Sequence, residues 1–163
     1  MEQSFKLNWV DILLAILCII ITIIYGSLIT MEILQNNTAS INMTNEQLVV
    51  DRKAFLGQTR DLFITVIGLL GTIKIFQKKS FGWSAAAFIV LFITLLSFAF
   101  LFQMIKDGSW DMYLFIAIFG SVTSLFLSFY VWLPTTRTKW QVKGGNYVLF
   151  LIMSGMVALL VFA

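Results

Sequence analysis

The chain has 163 residues, 60% of them apolar and only 12% charged, with a mean hydropathy of +0.93. A soluble domain carries roughly 45–50% apolar and about 25% charged residues, so these values exclude an ordinary water-soluble fold and point to a lipid-embedded chain. The net charge of +3 gives no reason to expect nucleic acid, and the absence of histidine removes the usual haem ligands, most zinc and copper sites and every His-dependent nucleophile.

The first apolar stretch, Val10–Leu34, predicts a helix over residues 9–34. It exceeds the 7–15 residues of a signal-peptide core, and no small-residue cleavage site follows, so it reads as a retained transmembrane helix. Asp11, Ala15, Cys18, Thr22 and Gly26 share one stripe of it. Cys18 is expected to be a small packing residue. Asp11, two residues past Trp9, is expected at the inner interface within reach of Lys6; Glu32 should lie at the outer end, facing Arg52 or Arg60. Residues 35–44 are rich in Asn and Thr and read as an outer loop. Two Asn-x-Thr patterns, at Asn36 and Asn42, would be glycan acceptors in a eukaryotic secretory membrane.

A Thr44-x-x-Gln47 capping spacing and the apolar period that follows predict one long helix over 45–76, its first turns standing outside the membrane. Gly57, Asp61, Thr65, Gly68 and Thr72 line one of its faces, and Lys74 is placed to snorkel to the inner edge. Lys78 to Trp83 reads as a tight inner turn, with Trp83 anchoring the third helix, 83–105, at the headgroups. On that helix Ala86, Ala87, Val90, Thr94 and Ser97 fall on one side, and Phe88, Phe92 and Phe102 on the other. The fourth helix, 111–133, sorts more sharply. Ala117, Gly120, Ser121, Ser124 and Ser128 oppose Phe115, Phe119, Val122, Phe126 and Phe129. Small residues let backbones approach in lipid, so the Gly/Ser side should meet protein and the Phe side acyl chains or a partner. Pro134 ends this helix. The last helix, 146–163, holds the apolar run Tyr147–Ala163, about 25 Å long, and is expected to span, with a re-entrant segment as the alternative.

Together these elements describe an all-α, polytopic transmembrane bundle of about five membrane-spanning helices in a single domain. Lys and Arg favour the cytoplasmic side, and seven of the eleven fall on the side shared by the N-terminus, residues 74–79 and residues 137–143. That bias predicts a cytoplasmic N-terminus and a C-terminus outside. The abundance of Ile, Phe, Lys and Asn fits a bacterium of low genomic GC, and a bacterial inner membrane is the expected location. Trp9, Trp83, Trp110, Tyr113, Tyr130, Trp132, Trp140 and Tyr147 all fall near stretch ends, where amphipathic rings favour headgroups.

The residues that could carry a function are few. Asp11, Thr22, Asp61 and Thr65 form a candidate polar seam between the first two helices. Gly68, Thr72, Gly120, Ser124 and Ser128 are candidate packing positions, and Lys78, Lys79, Arg137, Lys139 and Lys143 candidate headgroup contacts. No carboxylate sits midway across the bilayer, and no catalytic, metal or cofactor signature is present. The expectation is therefore a non-enzymatic membrane protein without cofactor. Its partners would be membrane lipids and other membrane subunits, or copies of itself, with the role of an accessory subunit or scaffold. The alternative is a small ion- or solute-translocating protein that uses the polar seam.

Overall fold

The computed structural model describes residues 7–40, 52–108 and 112–162. They form six helices: α1 (Trp9–Ser40), α2 (Arg52–Phe76), α3 (Ser80–Lys106), α4 (Met112–Trp132), α5 (Pro134–Lys139) and α6 (Gly144–Phe162). No strand occurs among the described residues. Three helical segments are long and apolar enough to cross a membrane: Trp9–Gln35, Ser80–Lys106 and Met112–Trp132. α6 contributes a shorter apolar segment, Gly144–Leu160. α2 is long enough, but Arg52, Lys53, Arg60 and Asp61 make its first half polar.

Several boundaries differ from the sequence expectation: α3 begins at Ser80, inside the turn expected over Lys78 to Trp83, and α6 begins at Gly144 rather than 146. α1 does not stop at Leu34 but continues to Ser40, through residues assigned to a loop. Asn and Thr disfavour a helix by only a few tenths of a kcal/mol each, and no Gly or Pro ends this one, so it propagates. Asn36 thus lies in the last turns of α1, while Asn42 and the Thr44-x-x-Gln47 spacing lie outside the described residues. The second addition is α5. Pro134 does close α4, yet it also occupies the first turn of a new six-residue helix, where its missing N–H costs nothing.

The bundle is organised around α3, which packs against α2, α4 and α6 and more lightly against α1, while α1 and α2 form a second close pair. From Gly82 to Val90 every residue of α3 is buried, whichever way it points. Phe88, expected to face lipid, is therefore internal at 2% exposure, and it stacks on Phe92, which meets Tyr25 edge-on. Beyond Thr94 the helix emerges, and Phe98, Phe100 and Phe102 are exposed. α4 follows the size-sorting expectation closely. Ala117, Ser121 and Ser124 are buried, Thr94 and Ser128 join hydroxyls across the α3–α4 interface at 3.1 Å, and Phe115, Phe119, Val122, Phe126 and Phe129 all face outward. Phe119 is 74% exposed. Such a surface would be a liability in water and suits acyl chains.

Close approach explains the glycines that matter. A methyl group on Gly68 would collide with the Thr22 hydroxyl and lie 3.0 Å from the Cys18 carbonyl oxygen, so α1 and α2 touch backbone to backbone there. Gly71 faces Ala85 of α3, and Gly82 faces the backbone of Lys74 and Ile75. The α2–α3 turn itself uses Lys78, not glycine, in the left-handed conformation (φ 55°). Its N–H reaches Ile75 O and that of Lys79 reaches Lys74 O, the paired bonds of a Schellman cap. Gln141 (φ 50°) closes α5 in the same way, with Thr138 O and Arg137 O as acceptors.

Trp83, expected at the headgroups, is instead an internal strut. Its indole N–H donates to Val131 O at 2.9 Å, and its ring meets Trp132 and Tyr147 edge-on. The last carbonyls of a helix lack intrahelical partners, and with Pro134 following α4 one of them is met from α3. Trp83→Phe should orphan that carbonyl and leave part of the buried indole volume unfilled, costing about 2–4 kcal/mol. Reversible unfolding in detergent would register it, and an unchanged midpoint would show that the bond contributes nothing. Nearby, Ser84 Oγ donates to Asn146 O at 3.1 Å, tying α3 to the start of α6.

Candidate functional site: two ionic clusters

Ionisable side chains gather at the two ends of the bundle. At the end formed by the start of α1, the α2–α3 turn, α5 and the start of α6, the central group is Asp11, which is 0% exposed. Asn8 and Asp11 cap each other. Asn8 N–H donates to Asp11 Oδ2 and Asp11 N–H to Asn8 Oδ1, both at 2.9 Å. This is the reciprocal capping box written with Asn and Asp, and the Asn-x-x-Asp spacing was readable in the sequence. The same carboxylate accepts from the Lys139 ammonium of α5, and the Tyr130 hydroxyl of α4 lies 3.2 Å from its other oxygen. Asn8 Nδ2 donates to Tyr130 Oη at 3.0 Å.

Asp11 therefore has donors on both oxygens, drawn from three elements. It meets Lys139 where the sequence reading expected Lys6, which lies outside the described residues. Lys139 was expected to face headgroups, but its ammonium turns onto Asp11 and its side chain is only 24% exposed. Asp11 also faces α4 and α5 rather than the α1–α2 seam. A fully buried carboxylate is tolerable only with such compensation, because an unpaired one would carry a desolvation cost of several kcal/mol.

At the other end, about 31 Å along α1 from Asp11 by helical rise, stands Glu32. Arg60 Nε donates to Asp61 Oδ1 at 2.7 Å, with Asp61 buried. Glu32 is within electrostatic reach of Arg60, as Tyr25 is of both Arg60 and Asp61. Glu32 Oε2 is buried and has no hydrogen-bond partner among the described residues. Its expected partner Arg60 is thus close, but the direct ion pair formed is the one with Asp61.

Thr22 and Thr65, the middle members of the candidate seam, do lie at the α1–α2 interface. Thr65 Cγ2 is 3.6 Å from where a Gly26 side chain would begin, and Thr22 packs on Gly68. Each hydroxyl donates back along its own helix at 2.8 Å, Thr22 to Cys18 O and Thr65 to Asp61 O. Thr72 does the same to Gly68 O at 2.9 Å. These protons are committed to backbone carbonyls of their own helices.

The remaining candidate cations stay at the first end. Lys78, Lys79 and Lys143 are exposed. Arg137 is half-buried, and its Nη1 donates to Tyr147 Oη at 3.1 Å. No group of three or more acidic, Cys or His side chains that could hold a metal occurs among the described residues. No protein-family model matches this chain, and neither the curated proteins nor the solved structures yield a match.

Proposed function

We propose that this chain is a structural membrane protein, an accessory subunit or scaffold of a larger membrane assembly, rather than an enzyme or carrier. What supports the reading above all is the fate of its buried charge. Asp11 and Asp61 each end on a basic partner at opposite ends of the molecule, and between them the α1–α2 interface is packed shut where Gly68 meets Thr22 and Cys18. The ionic groups act as joints between helices. The conspicuous outward feature is the phenylalanine face of α4 and outer α3, available to lipid or to neighbouring helices.

In this reading the bundle crosses the membrane five times, α5 lying as a short connector at the inner surface. α2 and α6 supply the two further crossings, at about 37 and 28 Å by helical rise. The basic end, with Lys74, Lys78, Lys79, Arg137, Lys139 and Lys143, faces the cytoplasm of a bacterial inner membrane, and the C-terminus lies outside. Affinity purification in a mild detergent, followed by native electrophoresis and mass spectrometry, tests the assembly role. A stoichiometric membrane partner or a defined homo-oligomer is expected; a lone monomer under every mild condition would overturn it.

A translocating role draws on one observation, the buried Oε2 of Glu32 near Arg60, which has no hydrogen-bond partner among the described residues. In that reading Asp61→Asn would abolish a flux measured in liposomes. The scaffold reading expects no such flux in the wild type.

A further inference from the structure

We infer that the cleft between α5 and the first turns of α6 is a binding site for a phosphate group, of the kind an anionic phospholipid presents at the inner surface. The cleft measures about 280 Å³ and is lined by Pro134, Arg137, Thr138, Gln141, Val142 and Tyr147. Three hydrogen-bond donors converge on it, and no carboxylate lines it.

Arg137 supplies the charge. Its side chain makes one hydrogen bond among the described residues, through Nη1 to Tyr147 Oη, which leaves most of its five donors unused. Because Tyr147 accepts that bond, its own hydroxyl proton is left to donate. Gln141 is exposed, held over the cleft by the left-handed Schellman cap, and its amide adds a third donor. Thr138 does not add one, since its hydroxyl proton is spent on Pro134 O and Thr135 O at 3.0 Å. A planar guanidinium beside two neutral donors suits the oxygens of a phosphate diester or monoester. Pro134 and Val142 give an apolar wall for the adjoining glycerol and acyl chain.

The selection within the basic end is informative. Lys139, on the same six-residue helix, is neutralised by Asp11. The Asp11 pair thereby fixes α5 against α1 and α4, so that Arg137 is presented from a rigid element. The exposed Lys143 contributes a general attraction to an anionic surface without lining the cleft. This site is independent of whether the protein serves as a subunit or scaffold.

The test uses the full chain in detergent micelles and its own tryptophans, because Tyr147 packs against Trp83 and Trp132. Fluorescence is titrated with dioleoyl phosphatidylglycerol, with dioleoyl phosphatidylcholine, and separately with inorganic phosphate. Wild type should saturate with phosphatidylglycerol, and Arg137→Gln should bind about tenfold or more weakly, the loss expected for a charge-assisted pair. Lys143→Gln, with the same change in net charge, should stay within about twofold. Saturation by phosphatidylglycerol alone assigns the site to lipid. Saturation by inorganic phosphate at matching concentrations, also lost in Arg137→Gln, assigns it to a free phosphate group. Equal weakening by Arg137→Gln and Lys143→Gln, or an equal response to phosphatidylcholine, would overturn the site. Should Arg137→Gln fail to fold, Tyr147→Phe keeps the charge and removes one donor, and unaltered affinity in that variant would overturn it too.

Discussion

Gly82→Ala is expected to remove about 3 kcal/mol of stability, the upper part of the range for forcing an extra methyl into a packed interior. The added carbon would sit 2.8 Å from Ile75 N, 2.9 Å from the Lys74 carbonyl carbon and 3.1 Å from Ile75 Cα. All three are backbone atoms of the hairpin that joins α2 to α3, so no side chain can swing aside. Since α3 is the post on which the other helices pack, a displaced start should loosen the aromatic group of Trp83, Trp132 and Tyr147 as well. Gly155→Ala is the control. Nothing lies within 4 Å of its added carbon, and alanine favours a helix by up to about 1 kcal/mol, so that variant should be neutral or slightly more stable. Unfolding midpoints in detergent compare the two, and a Gly82→Ala protein as stable as wild type would mean that the α2–α3 contact is looser than described.

Asp11→Ala should cost about 3 kcal/mol, near the lower end for breaking a buried ion pair because Lys139 keeps partial access to water. Three things are lost together: the Asp11 half of the α1 cap, the acceptor for Lys139 and the acceptor for Tyr130. Asp11→Asn keeps the cap geometry while removing the charge, so it should lie between Ala and wild type. Removing both charges, as Asp11→Asn with Lys139→Met, should recover much of the loss, since no uncompensated ion is then left buried. A double-mutant cycle on folded fraction measures this coupling. Strict additivity would show that Asp11 and Lys139 do not act on each other.

What the sequence revealed depended on whether a helix has two unlike sides. α4 does: its Gly, Ser and Ala positions fall on one side and its phenylalanines on the other, and the burial follows that division. α3 is apolar all round, so a face chosen by residue size cannot anticipate that its first half is enclosed by α1, α2, α4 and α6, and Phe88 is internal for that reason. A tryptophan near a helix start, as Trp83 is, points to the headgroups. Its burial arises because α4 ends at the same level with a carbonyl lacking a partner, a coincidence of depth that a linear reading does not contain. The extension of α1 and the presence of α5 turned on stop signals, one absent where a loop was expected and one that also starts a helix.

The candidate seam shows the same limit. Thr22, Thr65 and Gly68 do meet across α1 and α2, because a shared small-residue stripe is enough to predict close packing. The partner of Asp11 was not legible, because a salt bridge spanning 128 positions leaves no local trace and Lys6 was nearer in the chain. Its cap with Asn8 was legible, in an Asx form of a spacing usually sought with Ser or Thr followed by Glu. In the sequence Arg137 is only one of several candidate headgroup cations. Its distinction comes from Tyr147, which the short α5 and its left-handed cap bring alongside.

Impermeant thiol labelling of single-cysteine variants in intact cells and in inverted vesicles, in a Cys18→Ala background, tests the arrangement in the bilayer most directly. Cysteines at Lys79 and Lys143 should react only in inverted vesicles, and one at Asp107 only in intact cells. Reaction of Lys79 and Asp107 from one and the same side would contradict the crossing of α3 on which the whole bundle is built.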